Sequence, residues 1–281
     1  MGAIGRNVVV VDLARRERIS TSRPLSHPSS ATFSASGDAL AVKATNGHIV
    51  VLNPETSVVI GDHRNKREGE GSNLACSADG EYLVDGSWDG VFTVRHMLTG
   101  QIIVRDEFRG QMIRRITHDE HRRTWVIEHQ PKAQGGENMA PPGYVSVVEW
   151  PFSSLRGAKV VRFGCYVDAP TVSPDGKKLC FRDPHQNELL MARLEDGEIL
   201  ARAPLQPGGT GSDLAWSTDG RVIGAVASEG FTFFRASDLA PLGFRPAEYP
   251  SRVLFHPNGT DVLLGTWQRS SVEQVSSISN L

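Results

Sequence analysis

Trp216-Ser217-Thr218-Asp219-Gly220-Arg221, running on into Val222-Ile223-Gly224-Ala225-Val226, places an apolar residue, a small polar residue and an Asp-Gly pair ahead of an apolar run. Asp-Gly provides the positive φ that a tight hairpin needs at little steric cost. The stretch therefore predicts two antiparallel strands joined by a short turn. Working outward, the arrangement recurs at Phe33-Ser34-Ala35-Ser36-Gly37-Asp38, Cys76-Ser77-Ala78-Asp79-Gly80-Glu81, Val172-Ser173-Pro174-Asp175-Gly176-Lys177 and Phe255-His256-Pro257-Asn258-Gly259-Thr260, each followed by an apolar strand. A weaker copy is Ile116-Thr117-His118-Asp119-Glu120-His121-Arg122 before Trp125-Val126-Ile127. With Gly37, Gly80, His121, Gly176, Gly220 and Gly259 as markers, the steps are 43, 41, 55, 44 and 39 residues. An inserted loop at 131–143, containing Gly135-Gly136 and Pro141-Pro142, accounts for the long step; without it the step is 42.

Behind each hairpin comes a third apolar run, such as Val91-Phe92-Thr93-Val94 or Phe231-Thr232-Phe233-Phe234, then a turn and a fourth, such as Gln101-Ile102-Ile103-Val104 or Glu198-Ile199-Leu200-Ala201. Four strands at a period near forty are the signature of a propeller blade. The sequence thus predicts an all-β chain, residues 1–281 forming a single β-propeller domain of four-stranded blades, with a polar tail at 270–281. The N-terminal runs Val8-Val9-Val10-Val11-Asp12-Leu13 and Glu17-Arg18-Ile19-Ser20 have the form of a third and a fourth strand with nothing ahead of them. The economical count is six blades, the N-terminal pair completing the last one, so that strands from both termini close the ring and leave no open edge. The alternative is seven blades with one incomplete, Val272-Glu273-Gln274-Val275 being a true third strand.

One segment carries a family resemblance. Leu83-Val84-Asp85-Gly86-Ser87-Trp88-Asp89-Gly90-Val91-Phe92-Thr93-Val94-Arg95-His96-Met97-Leu98-Thr99-Gly100 resembles the core of a WD repeat, with the Ser-x-Asp-Gly turn and the closing Thr-Gly. The Trp-Asp dipeptide of that family is Arg95-His96 here, and Leu52-Asn53, Glu149-Trp150, Arg193-Leu194 or Arg235-Ala236 elsewhere. The resemblance covers nearly the whole chain as a rhythm and one repeat in detail. It implies a degenerate WD40-like propeller; of the residues that brace each blade in the family, Ser87 and Asp89 match.

Composition narrows the function. A formal charge of −2 gives no field that favours nucleic acid or an anionic membrane, and the mixed run Arg105, Asp106, Glu107, Arg109, Arg114, Arg115 lacks interleaved aromatics. The N-terminal apolar run is too short for a signal-peptide core or a membrane span, and Arg6 breaks the myristoylation pattern that Gly2 would begin. Cys76, Cys165 and Cys180 are odd in number and widely spaced, which suits buried thiols in a reducing compartment. No GxSxG, HExxH, GxGxxG or Walker A pattern occurs. His118-Asp119-Glu120-His121 reads as an exposed turn, and the recurring Asp79, Asp175, Asp219 and Asn258 as turn residues. No cofactor, metal or catalytic residue is expected.

Trp88 and Trp267 occupy equivalent positions just beyond the second strands of their blades. Tryptophan is prominent among interface anchors, and long connections gathered on one end of a rigid scaffold are where function concentrates. By analogy with WD proteins, the second-to-third and fourth-to-first connections share a face. That face is expected to bind a partner through Trp88, Asp89, Tyr166, Asp168, Asp213, Tyr249, Arg252 and Trp267, with Arg114 and Arg115 contacting any acidic surface. The expected protein is thus a cytoplasmic, non-catalytic scaffold binding another protein, with no nucleic-acid or membrane partner, either monomeric or a subunit of a hetero-complex whose partner completes the weak last blade. The alternative is a six-bladed hydrolase or lactonase-like enzyme with a metal or polar site in a central channel.

Overall fold

The structure is a computed structural model; it describes residues 2–4, 7–12, 14–15, 17–22, 25–64, 73–119, 124–132, 143–149, 151, 158–206, 213–259, 261–266 and 272–276. These residues form seven antiparallel sheets. Sheet one is β1 (Gly2–Ile4), β2 (Asn7–Asp12) and β3 (Glu17–Ser22). Sheet two is β4 (Pro28–Phe33), β5 (Leu40–Ala44), β6 (Ile49–Leu52) and β7 (Val59–His63). Sheet three is β8 (Asn73–Cys76), β9 (Tyr82–Gly86), β10 (Val91–His96) and β11 (Ile102–Glu107). Sheet four is β12 (Gln111–Asp119), β13 (Thr124–Pro131), β14 (Tyr144–Glu149) and β15 (Lys159–Arg162). Sheet five is β16 (Asp168–Val172), β17 (Lys178–Asp183), β18 (Glu188–Arg193) and β19 (Ile199–Pro204). Sheet six is β20 (Leu214–Trp216), β21 (Val222–Ala227), β22 (Gly230–Arg235) and β23 (Pro241–Pro246). Sheet seven is β24 (Pro250–Phe255), β25 (Asp261–Thr266) and β26 (Val272–Ser276). Strands pair in chain order within every sheet.

Two expectations change. The N-terminal pair does not share a sheet with the last hairpin: β2 takes Gly2–Ile4 as its other partner, Ala3 opposite Val8, and forms a sheet of its own. Part of the expected polar tail is a strand, β26, which pairs with β25 from Asp261↔Ser276 to Gly265↔Val272. Both follow from the obligation of backbone amides to find partners. The described residues thus form five sheets of four strands and two of three, at the two ends of the order.

The Asp-Gly bends form for a fuller reason than glycine alone. Ser77 is buried at the base of its turn. Its N–H donates to Tyr82 O (2.9 Å), its carbonyl accepts from Gly80 N (2.9 Å), and its Oγ accepts from Tyr82 N (3.0 Å) while donating to Asp79 Oδ1. Gly80 sits at φ +76°, where a Cβ would be strained. The set repeats around Ser173 and Ser217, whose hydroxyls donate to Asp175 and Asp219 at 2.6 Å. Those hydrogen bonds hold both carboxyls below the usual carboxylate range.

Apolar alternation on the strands faces neighbouring sheets toward each other. The chain divides into two compact units, Met1–Glu137 with Val145–Val160, and Asn138–Tyr144 with Val161–Leu281. In the first, Ala41, Val51 and Met97 join Leu83 between sheets two and three, and Phe92, Trp125 and Ile127 fill the space between sheets three and four. In the second, Cys180 and Met191 pack on Ile223 and Phe234, and Phe233 on Val253 and Val262. Fully burying a side chain of this size contributes roughly 1.5–3 kcal/mol, so the layers between sheets are the core.

Candidate partner-binding surface

Because strands pair in sequence and antiparallel, the second-to-third and fourth-to-first connections emerge at one end of each sheet. In the first unit that end is organised around the turn Ser87-Trp88-Asp89-Gly90. Buried Ser87 closes it: Ser87 N donates to Val91 O (3.0 Å) and Gly90 N to Ser87 O (3.0 Å). The next sheet then braces it from the side, with Ile113 N donating to Ser87 O (3.1 Å) and Phe108 N to Gly90 O (2.9 Å). Lys132, at the start of the inserted loop, donates from its backbone to Gly110 O (3.0 Å) and from Nζ to Asp89 O (3.2 Å). Trp88 projects from this frame 41% exposed.

Beneath the frame, Phe108 stacks on the ring of His129, centroids 4.2 Å apart. His129 is held between Gln111 Oε1 and Ser146 Oγ, the latter at 2.7 Å. Burial lowers its pKa to about 4, so it is neutral in the folded protein at neutral pH. The unfolded chain has a histidine of pKa about 6.5, which takes up a proton as pH falls while the folded one does not. Stability is thus expected to decline from pH 6.5 to about 4, by up to roughly 1.4 kcal/mol per pH unit, and this contribution levels off below that. Denaturant unfolding of wild type and His129→Gln across pH 7 to 4 checks it: the difference between them should shrink as the pH falls.

Arg114 and Arg115 lie on β12, half-buried. Arg114 is the residue skipped by the register between Ile113 and Arg115, and its Nε is 3.4 Å from Oε1 of buried Glu128. The structure therefore engages Arg114 within sheet four.

In the second unit, Tyr166 stands in the connection into sheet five and meets His185 of the β17–β18 turn edge-on, centroids 5.4 Å apart. Asp168 lies opposite Arg182 in register. Burial pushes the Arg182 guanidinium down from its ordinary range and the charge of Asp168 opposes this; Arg182 Nη1 donates to Val226 O (3.3 Å). Asp213 is buried instead of lying on the surface: it accepts from Val253 N (3.2 Å) and from Arg252 Nη1 (3.3 Å), and its carboxylate ties sheet six to sheet seven. Arg252 itself is exposed. Tyr249, at φ +53° and 43% exposed, borders a shallow depression with Ser228, Glu229, Pro246, Ala247 and Glu248. Trp267 lies outside the described residues.

The structure thus joins Trp88 to Asp89, and Asp213 to Arg252. It adds Lys132, His185 and Arg182, which the sequence reading passed over. Lys132 and His185 touch residues of neighbouring connections, and Arg182 reaches from β17 to β16 and β21. Among the described residues no group of three or more His, Cys, Asp and Glu side chains is placed to hold a metal ion, and no helix is long and apolar enough to cross a membrane. The cysteines form no disulfide, and burial pushes the Cys165 and Cys180 thiols up.

No protein-family model and no curated protein matches the sequence. Solved structures do match the fold. The β-propeller domain of Cps50 (Swd1) from Myceliophteria thermophila superposes with a TM-score of 0.64 and 16% identity, over 89% of this chain and 86% of that one. Hydrazine synthase of Kuenenia stuttgartiensis matches at 0.79 with 14% identity, over 98% and 90%. The dihydro-heme d1 dehydrogenase NirN, solved in complex with DHE, matches at 0.69 with 16% identity over 93% of this chain, which spans 56% of NirN. The chain has the fold of a β-propeller.

Proposed function

We propose that this chain is a degenerate WD-type propeller, a single cytoplasmic domain that holds a protein partner on the end of its sheets bearing Trp88 and does no chemistry there. The observation that carries the reading is an exposed tryptophan on a turn braced by two neighbouring segments. A rigid frame lowers the ordering cost of binding, and a large aromatic at its tip is the side chain most often found to anchor an interface. Asp89 and Lys132 give the tryptophan a polar rim, their charged atoms 3.8 Å apart. Tyr249 and Arg252 extend the same kind of surface in the second unit.

The test is affinity capture from the native host with mass spectrometry, comparing wild type with Trp88→Ala and Trp267→Ala. A partner retained by wild type should be lost by Trp88→Ala, and its affinity should fall about thirtyfold, the equivalent of about 2 kcal/mol. Unchanged capture by a folded Trp88→Ala protein removes the tryptophan as an anchor.

A further inference from the structure

Two pairs of neighbouring sheets carry the same polar frame, and one of them lacks its carboxylate. Ser34, Ser77, Ser173, Ser217 and His256 are the bases of equivalent turns, each N–H donating to the carbonyl five residues on. The ninth residues beyond them are Lys43, Gly86, Arg182, Val226 and Gly265. Both cations in this set are buried, Lys43 fully and Arg182 at 3% exposure. Each stands opposite an aliphatic residue of the third strand, Ile49 and Leu189. Each also reaches the next sheet at the same backbone atom: Lys43 Nζ donates to Gly86 O (3.1 Å) and Arg182 Nη1 to Val226 O (3.3 Å).

The residue before that carbonyl is where the two frames differ. In sheet three it is Asp85, which accepts from Lys43 and pairs in register with Thr93. In sheet six it is Ala225, which pairs in register with Thr232. The threonine is kept and the carboxylate is not. Among the described residues Arg182 makes no ion pair, and its Nε no hydrogen bond. Burial works against the charge of this guanidinium, and Asp168 on β16 offsets only part of that. A buried cation without a hydrogen-bonded counter-charge is costly, so an anion brought to this place is stabilising. Ala225 lies with Cys180 and Leu189 in the layer between sheets five and six, and so does Phe234. By strand alternation Thr232 shares the face of Phe234. Thr93 is buried and Thr232 half-buried, so solvent reaches Thr232 where it does not reach Thr93.

We propose that Arg182, Thr232 and the position over Ala225 form a binding site for a small carboxylate, which takes the place that the Asp85 side chain fills in sheet three. The guanidinium offers Nε to one carboxylate oxygen, a charge-assisted hydrogen bond, and the Thr232 hydroxyl is a second donor. What an aspartate has and Ala225 lacks is one carboxylate group, so formate is the smallest fit. Asp168 repels a second negative charge, and binding is expected at millimolar formate.

The experiment follows the melting midpoint of the full chain at neutral pH as sodium formate replaces sodium chloride at constant ionic strength. A saturable rise is expected for wild type, about 2–5 °C at ten times the dissociation constant. Ala225→Asp supplies the carboxylate within the chain and should abolish the response. Arg182→Met should abolish it too, whereas Arg182→Lys, which installs the cation of sheet two, should keep it; this pair carries the test if Ala225→Asp does not fold. Absence of a formate-specific rise in wild type overturns the proposal. So does a rise of the same size in Arg182→Met or Ala225→Asp, which would be an effect of the salt on the whole chain.

Discussion

Alanine at Asp85 is expected to lower stability by about 3–5 kcal/mol, the range for stripping one partner from a buried ion pair. Lys43 is fully buried on β5, between sheets two and three. Its Nζ donates to Asp85 Oδ1 and, at 3.1 Å, to Gly86 O. The other carboxylate oxygen of Asp85 is 3.8 Å from Arg95 Nη2, and Arg95 is itself buried and donates to Thr93 Oγ1 at 3.2 Å. Asp85 is thus the carboxylate between two buried cations. Deleting it leaves an ammonium and a guanidinium without the counter-charge that both approach. Lys43→Met should cost less, because Asp85 keeps Arg95 and the methionine fills most of the volume. Denaturant unfolding of the three proteins, read as a shift in midpoint at constant slope, checks the ranking. If Lys43→Met proves the more damaging, the carboxylate is not the centre of the network.

That network explains what could be read from the sequence and what could not. The hairpins were legible because each turn is local: around Ser77, Ser173 and Ser217 the hydrogen bonds of the bend close within six residues. Asp85 sits in the best-matched repeat, yet its partner Lys43 is 42 residues earlier. The same holds for Arg182 and Val226, 44 apart, and for Asn73 and Ile113, 40 apart. These separations are the repeat period. Buried polar residues on adjacent sheets meet one period apart, and a search for complementary types at that spacing would have proposed Lys43 with Asp85. It would also have paired Asp213 with Arg252, 39 residues on, whose Nη1 donates to it. The two three-stranded sheets were hard to read for another reason. Gly2–Ile4 is only three residues long, and the β26 sequence VEQVS alternates too poorly to be told from a polar tail. Of the candidate surface, Trp88 was legible because turn position and residue type agree; Lys132 and His185 were not, because they lie in neighbouring connections.

Gly90→Ala tests whether the frame around Trp88 is as tightly built as its hydrogen bonds indicate. Gly90 is at φ +87°, and a Cβ there would lie 2.5 Å from Gln111 O and 2.6 Å from Phe108 O. Both are backbone atoms, one in the connection between β11 and β12 and one at the first residue of β12, so relief requires the chain to move. The left-handed conformation alone costs an L-residue roughly 1–2 kcal/mol, and overpacking against a fixed neighbour adds typically 1–3. A loss of about 2–5 kcal/mol is expected. Gly110, in the same connection, gives the control: it is at φ +71°, but nothing lies within 4 Å of its added Cβ, so Gly110→Ala should lose only about 1–2 kcal/mol. The two variants share the conformational term and differ in the collision. Their difference therefore measures how firmly the second-to-third turn of sheet three is wedged against its neighbour. Because that wedge also sets the direction of Trp88, Gly90→Ala should weaken the partner lost by Trp88→Ala, and Gly110→Ala should leave it bound. Equal melting of the two glycine variants would mean that the connection yields freely and that Trp88 does not stand on a rigid frame.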